Sequence, residues 1–170
     1  MKTIRQTLIL SFCLVLLAAC QKANKKLVVE PDNLNSLYTK TAQTLFTARP
    51  TSATMLGVDK DLAGGNYNNR LEDYSPKSEN QLRQSLLNLN IAYKKNKNND
   101  VNKDVMQVLS RYFAGNEEFP IGYIDTWMGL SPFIVNQING PLIDVPNIMI
   151  TNQQINDIKD AKDYIARLDH

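Results

Sequence analysis

Histidine is almost missing from this chain. The one imidazole belongs to His170, so neither a histidine-ligated metal centre nor a Ser-His-Asp arrangement can be assembled from these residues. Cysteine is nearly as scarce, and both copies, Cys13 and Cys20, lie in the first twenty residues. A cysteine metal site, a cysteine nucleophile and a disulfide framework are therefore excluded from everything downstream. Charge of one sign is also lacking. The 19 basic residues fall to 17 once Lys2 and Arg5 are set aside, against 17 acidic ones. Without a basic stripe interleaved with aromatics, attraction to nucleic acid has no basis. No apolar run is long enough to cross a bilayer, which takes about 20 residues.

What the first twenty residues do have is a secretory leader. Lys2 and Arg5 precede an apolar stretch from Leu8 to Leu17, the length of a signal-peptide core. Leu17-Ala18-Ala19-Cys20 follows, a lipobox in which the Cys20 thiol receives a diacylglycerol, cleavage occurs before Cys20, and a further acyl chain of the palmitate type goes to the freed amine. Several chains hold a protein stably on a membrane, at about 0.8 kcal/mol per buried methylene. The division expected is a signal peptide over 1–19, a lipidated cysteine and polar tether over 20–31, and a helical domain over 32–170. Gln21 is not the aspartate that favours inner-membrane retention, which places the anchor on the periplasmic face of the outer membrane.

The remainder reads as all-α, a helical hairpin followed by a long irregular apolar connection. Asp32 is the expected cap of a helix carrying Leu34, Leu37, Tyr38, Ala42, Leu45 and Phe46 on one face, stopping before Pro50. Thr51 to Leu56 adds a short turn closed by Gly57, and Gly64, Gly65, Asn66, Asn68 and Asn69 mark a loop. Ser75-Pro76 opens a long helix with Leu82, Leu86, Leu89 and Tyr93 buried. A third helix carries Val101, Val105, Val108, Leu109 and Tyr112 and stops at Gly115. From Asn116 to Ile150 the apolar residues lose their period, and prolines and glycines interrupt them. Loops of that length are often functional. Tyr123, Trp127, Phe133 and Asp144 are therefore the candidates to line a cleft, although aromatic residues more often pack than bind. Thr151 with Gln154 forms a capping-box pattern, opening a last helix with Ile155, Ile158, Ala161, Ile165 and Leu168 inward. That helix runs to His170 without a glycine or proline to stop it, as expected of a piece of a longer protein.

The sequence offers no catalytic residue and no metal ligand. Asp59-Lys60-Asp61-Leu62-Ala63-Gly64 begins like a calcium loop, but Ala63 replaces an oxygen ligand and Arg70 stands where the closing acid belongs. Glu117-Glu118, and Asp157, Asp160 and Asp163 alternating with Lys159 and Lys162, read as solvated surface.

Four segments carry a resemblance: Arg49-Pro50-Thr51-Ser52-Ala53-Thr54-Met55-Leu56-Gly57, Asn69-Arg70-Leu71-Glu72-Asp73-Tyr74-Ser75, Gly140-Pro141-Leu142-Ile143-Asp144-Val145-Pro146 and Asp163-Tyr164-Ile165-Ala166-Arg167-Leu168. In order and spacing they resemble the N-terminal part of bacterial domain-of-unknown-function 885 lipoproteins. Asn69 departs from the aspartate the family often has before its Arg-Leu pair. The resemblance implies a longer helical protein of the gluzincin zinc-peptidase type, with zinc and a peptide substrate handled by a His-Glu motif absent here. This piece would form one wall of a cleft, without cofactor or catalysis of its own. The alternative reading is a small periplasmic lipoprotein serving as scaffold or binding module, with the irregular aromatic segment as its contact surface.

Overall fold

The computed structural model describes residues 33–115, 123–125, 129–131, 133–135 and 140–170. Six helices and one short hairpin make up the described residues, so the chain is all-α in architecture. Helix α1 (Leu34–Ala48) is capped by Asn33, whose side chain accepts from the Ser36 amide at 3.1 Å. The cap is thus one residue later than Asp32, which lies outside the described residues. Arg49 leaves helical geometry at φ −128°, ψ 68°, as a residue before proline must, and Pro50 restarts the chain as α2 (Pro50–Leu56). Gly57 ends α2 in the left-handed region at φ 61°, where a side chain would strain the backbone.

Ser75 caps α3 (Pro76–Lys95), accepting from the Ser78 amide at 3.3 Å, and Lys94 and Lys95 sit in its last turn, where cations complement the helix dipole. Asp100 caps α4 (Val101–Ala114), which stops at Gly115. Helices α1, α3 and α4 enclose the main core. Leu37, Leu82, Leu86, Leu89, Tyr93 and Ala114 are buried there, with Leu34, Tyr38, Leu45, Met106 and Phe113 packed around them. Tyr93 fits this apolar space because its hydroxyl finds Thr41 Oγ1 at 2.8 Å and its ring stacks on Tyr38 at 6.1 Å. The expected hairpin and the inward stripes of α1 and α3 are both present.

The face of α4 is a different matter. Val101, Val105, Val108, Leu109 and Tyr112 are all exposed, Val101 at 74% and Val108 at 65%. The inward side is Met106, Ser110, Phe113 and Ala114.

Beyond α4, Tyr123–Asp125 (β1) and Gly129–Ser131 (β2) pair antiparallel, with Ile124 opposite Leu130. The connection expected to be irregular up to Ile150 holds a helix, α5 (Pro141–Thr151). Its two prolines hid it. Pro141 sits in the first turn, where no N–H is needed, and Pro146 lies in the middle of the helix, where its ring removes one internal N–H donor. Asp144 Oδ2 accepts from the Gly140 amide at 2.7 Å and so supports that helix start.

The last helix, α6 (Ile158–Leu168), corrects three expectations. Its cap is Asp157, accepting from the Asp160 amide at 2.8 Å. Thr151 instead closes α5, donating to Asn147 O at 2.6 Å. Ile155, Ile158, Ile165 and Leu168 face outward, and Asp163 and Arg167 are buried in their place. Asp163 is thus not solvated surface. No described helix is long and apolar enough to cross a membrane.

Candidate functional site

Two features of the described residues gather polar groups in one place. The first is built around Arg167, 1% exposed. Lys159, Asp163 and Arg167 are spaced four apart and so form one stripe of α6. Nε of Arg167 donates to Arg70 O at 3.1 Å, Nη1 to Gln153 Oε1 at 2.8 Å, and Nη2 to Thr54 Oγ1 at 3.0 Å and to Tyr67 O. Burial pulls its pKa below the ordinary guanidinium value, and the fan of oxygen acceptors is what allows a cation to sit there. Gln153 Nε2 in turn donates to Asn68 O at 2.8 Å. Asp163 Oδ2 accepts from Asn66 Nδ2 at 3.0 Å and from Lys159 Nζ at 2.6 Å. Burial works to raise the Asp163 pKa, but these two donors outweigh it and hold the carboxyl below its usual range.

The loop that supplies these partners is itself tied down. Gly64, at φ 77°, lies so close to α1 that a Cβ would come within 3.0 Å of Thr47 Oγ1. Tyr67 packs with Ala53 and Ala63, and its hydroxyl donates to Val58 O. Arg167 therefore joins α6 to a prebuilt surface.

The second feature is a groove of about 670 Å³ between α1 and α3, lined by Lys40, Arg49, Arg70, Asp73, Ser78 and His170 among others. Arg49 and Glu79 form a buried ion pair at 2.6 Å, with the Arg49 guanidinium 4.8 Å from the Tyr74 ring centroid. Asp73 is held below its usual carboxylate value by hydrogen bonds from Ser78 Oγ (2.5 Å) and the Ser75 amide (2.8 Å). Nε of Arg70 is buried without a hydrogen-bond partner among the described residues. Glu72, next to this rim, accepts from both the amide and the hydroxyl of Thr51. The groove brings cations, hydroxyls and the Asp73 carboxylate together. Among the described residues there is no cluster of three or more His, Cys, Asp or Glu side chains placed to hold a metal ion.

The residues expected to line a cleft are not gathered by the described part of the molecule. Tyr123 is half-buried and meets the Tyr74 ring edge-on at 5.9 Å. Phe133 is 67% exposed, and Asp144 serves the start of α5. Trp127 and Cys20 lie outside the described residues. The polar network around Arg49, Arg70, Glu72, Asp163 and Arg167 went unforeseen as a network, although each of these residues falls in a segment that carried the family resemblance. The available signal was the i, i+4, i+8 charge stripe of α6, which alternation with aspartates disguised as surface.

No family model matches the chain, and no curated protein matches it. A solved structure does: the putative lipoprotein from Colwellia psychrerythraea, 50% identical over 78% of this chain, with a TM-score of 0.72. The chain spans only about a quarter, 24%, of that protein's length. Similarity at this level supports a lipoprotein associated with the cell envelope.

Proposed function

We propose that this chain is the lipid-anchored, N-terminal helical part of a larger cell-envelope hydrolase resembling gluzincin-type zinc peptidases, and that it shapes the protein without performing the chemistry. The observation that carries the reading is the match to a lipoprotein about three times as long. The resemblance to domain-of-unknown-function 885 proteins adds the peptidase class. Its segments supply Arg49, Thr54, Glu72 and Arg167, which brace the fold internally. The residues here do not fit a zinc site, since the one histidine stands without a described cluster of partners. Zinc would be held by the remainder of the longer protein. In that setting Tyr123, Trp127, Phe133 and Asp144 would face a peptide, and lipid on Cys20 would hold the assembly at the periplasmic face of the outer membrane.

Two measurements test this. Cells fed a labelled palmitate should acylate the wild-type protein and leave Cys20→Ala unlabelled and processed differently; equal labelling would remove the anchor. Metal analysis of the full-length polypeptide, with a peptide-cleavage assay before and after chelation, should find zinc and zinc-dependent hydrolysis. A full-length protein without zinc or cleavage would end the peptidase reading and leave the anchor standing.

A further inference from the structure

Single exposed apolar residues are ordinary, but aligned rows of them are not. On α4, Val101, Val105, Val108 and Tyr112 recur at spacings of four, three and four, with Leu109 beside them, and all five are 40% exposed or more. On α6, Ile158, Ile165 and Leu168 form a second row, each exposed by more than half. Leu142 and Ile150 of α5 are exposed at 78%. Both helix rows have the period of a helix face that packs on another helix. Few basic residues border the α4 row, Lys103 and Arg111 being the only ones on the helix, unlike the Lys/Arg-rich polar side of a helix that lies on a membrane.

We propose that the outer rows of α4 and α6 are interior surfaces, covered by apolar helices from the part of the longer polypeptide that lies outside the quarter matched here. The inference rests on the reading of this chain as part of a longer lipoprotein, and it deepens that reading by naming the faces of contact. Two observations favour this occupant over a second copy. The solved neighbour carries three further quarters of chain on a matching body. The exposed apolar residues are spread over three separate helices, more than one self-complementary patch requires. The inverted character of α6 then has a physical reason: its polar stripe meets Arg70, Thr54 and Gln153 on one side, and its apolar stripe is left for the other body.

The experiment places aspartate at the positions of the full-length Colwellia psychrerythraea protein aligned with Val105 and Val108, and makes V105D/V108D in this chain. In the full-length protein the melting temperature should fall by several degrees, because two carboxylates would be buried without partners. In this chain it should stay within about a degree, as for surface substitutions, while binding of the apolar dye bis-ANS drops. A threonine pair at the same full-length positions, mild enough to fold, should give a smaller fall of the same sign. Unchanged melting of both full-length variants would overturn the proposal. So would sedimentation of this chain as a dimer that V105D/V108D dissociates, which would assign the face to a second copy. If the full-length variants melt early in a protein without zinc or peptidase activity, the docking faces stand and the peptidase reading falls; zinc-dependent cleavage with unchanged melting gives the reverse.

Discussion

The two halves of this molecule are held together by opposite chemistry. Around α1, α3 and α4 the main core is leucine, tyrosine and alanine around the Thr41–Tyr93 hydroxyl pair, with the buried Arg49–Glu79 ion pair beside it. Around α2, the 58–70 loop and α6, the interior is an arginine fanned over four oxygen acceptors, and the isoleucines are outside. An apolar core tolerates sliding and repacking, because its attraction has no direction. A guanidinium bound to named carbonyl, amide and hydroxyl oxygens does not, because each donor has one geometry. The first half is therefore specified by pattern and volume, and the second by register.

The largest test of that contrast is Arg167→Ala, which removes four hydrogen bonds and strips the Tyr67 and Arg70 carbonyls and the Gln153 amide oxygen of this donor; a loss of about 3–5 kcal/mol is expected in denaturant unfolding. Arg167→Lys should recover little of it, since an ammonium cannot reach acceptors spread over a planar fork. If lysine restored full stability, charge and not register would be what matters. Leu86→Ala in the other half should cost about 2–5 kcal/mol by the same measurement, while Leu86→Met should cost under about 1.5 kcal/mol. A conservative swap that is tolerated at Leu86 and not at Arg167 would separate packing volume from hydrogen-bond register. Tyr93→Phe, which deletes the hydroxyl shared with Thr41, should cost about 1 kcal/mol.

Acid provides a gentler probe of the polar half. Asp163 has its folded pKa lowered by Lys159 and Asn66 against the pull of burial, so its contribution is fully present above the ordinary aspartate value near 3.9 and is lost as pH falls through the lower folded value. Thermal melts from pH 6 to pH 2 should show Asp163→Asn flattening that acid limb without altering the plateau shape at neutral pH. A wild-type acid limb that Asp163→Asn leaves intact would assign the titration elsewhere.

Much of the first half was readable in advance. Ser75-Pro76, Gly57, Gly115 and the leucine stripe of α3 each state a local rule that the fold obeys. In the second half, α5 was hidden because Pro141 and Pro146 look like interruptions; Pro141 fits the first turn, whereas Pro146 stands inside the helix at the loss of one backbone donor. Helix α6 was found and turned the wrong way. Its apolar period marks one face and its Lys159-Asp163-Arg167 stripe marks the other, and period alone cannot say which of two good faces points in. The groove between α1 and α3 was not legible at all, because Lys40, Arg70 and His170 are far apart in the chain and meet only there.

The all-α class, most helix boundaries and the inward faces of α1 and α3 could be read from the chain directly, because each follows from side-chain type and spacing within a few residues. Only the tertiary structure decided that Arg167 lies in the interior and that the valines of α4 and the isoleucines of α6 lie outside. The reason is that the burial of a cation depends on whether distant carbonyl, amide and hydroxyl oxygens converge on it, and that convergence, between Thr54, Tyr67, Arg70 and Gln153, exists only once the chain has folded.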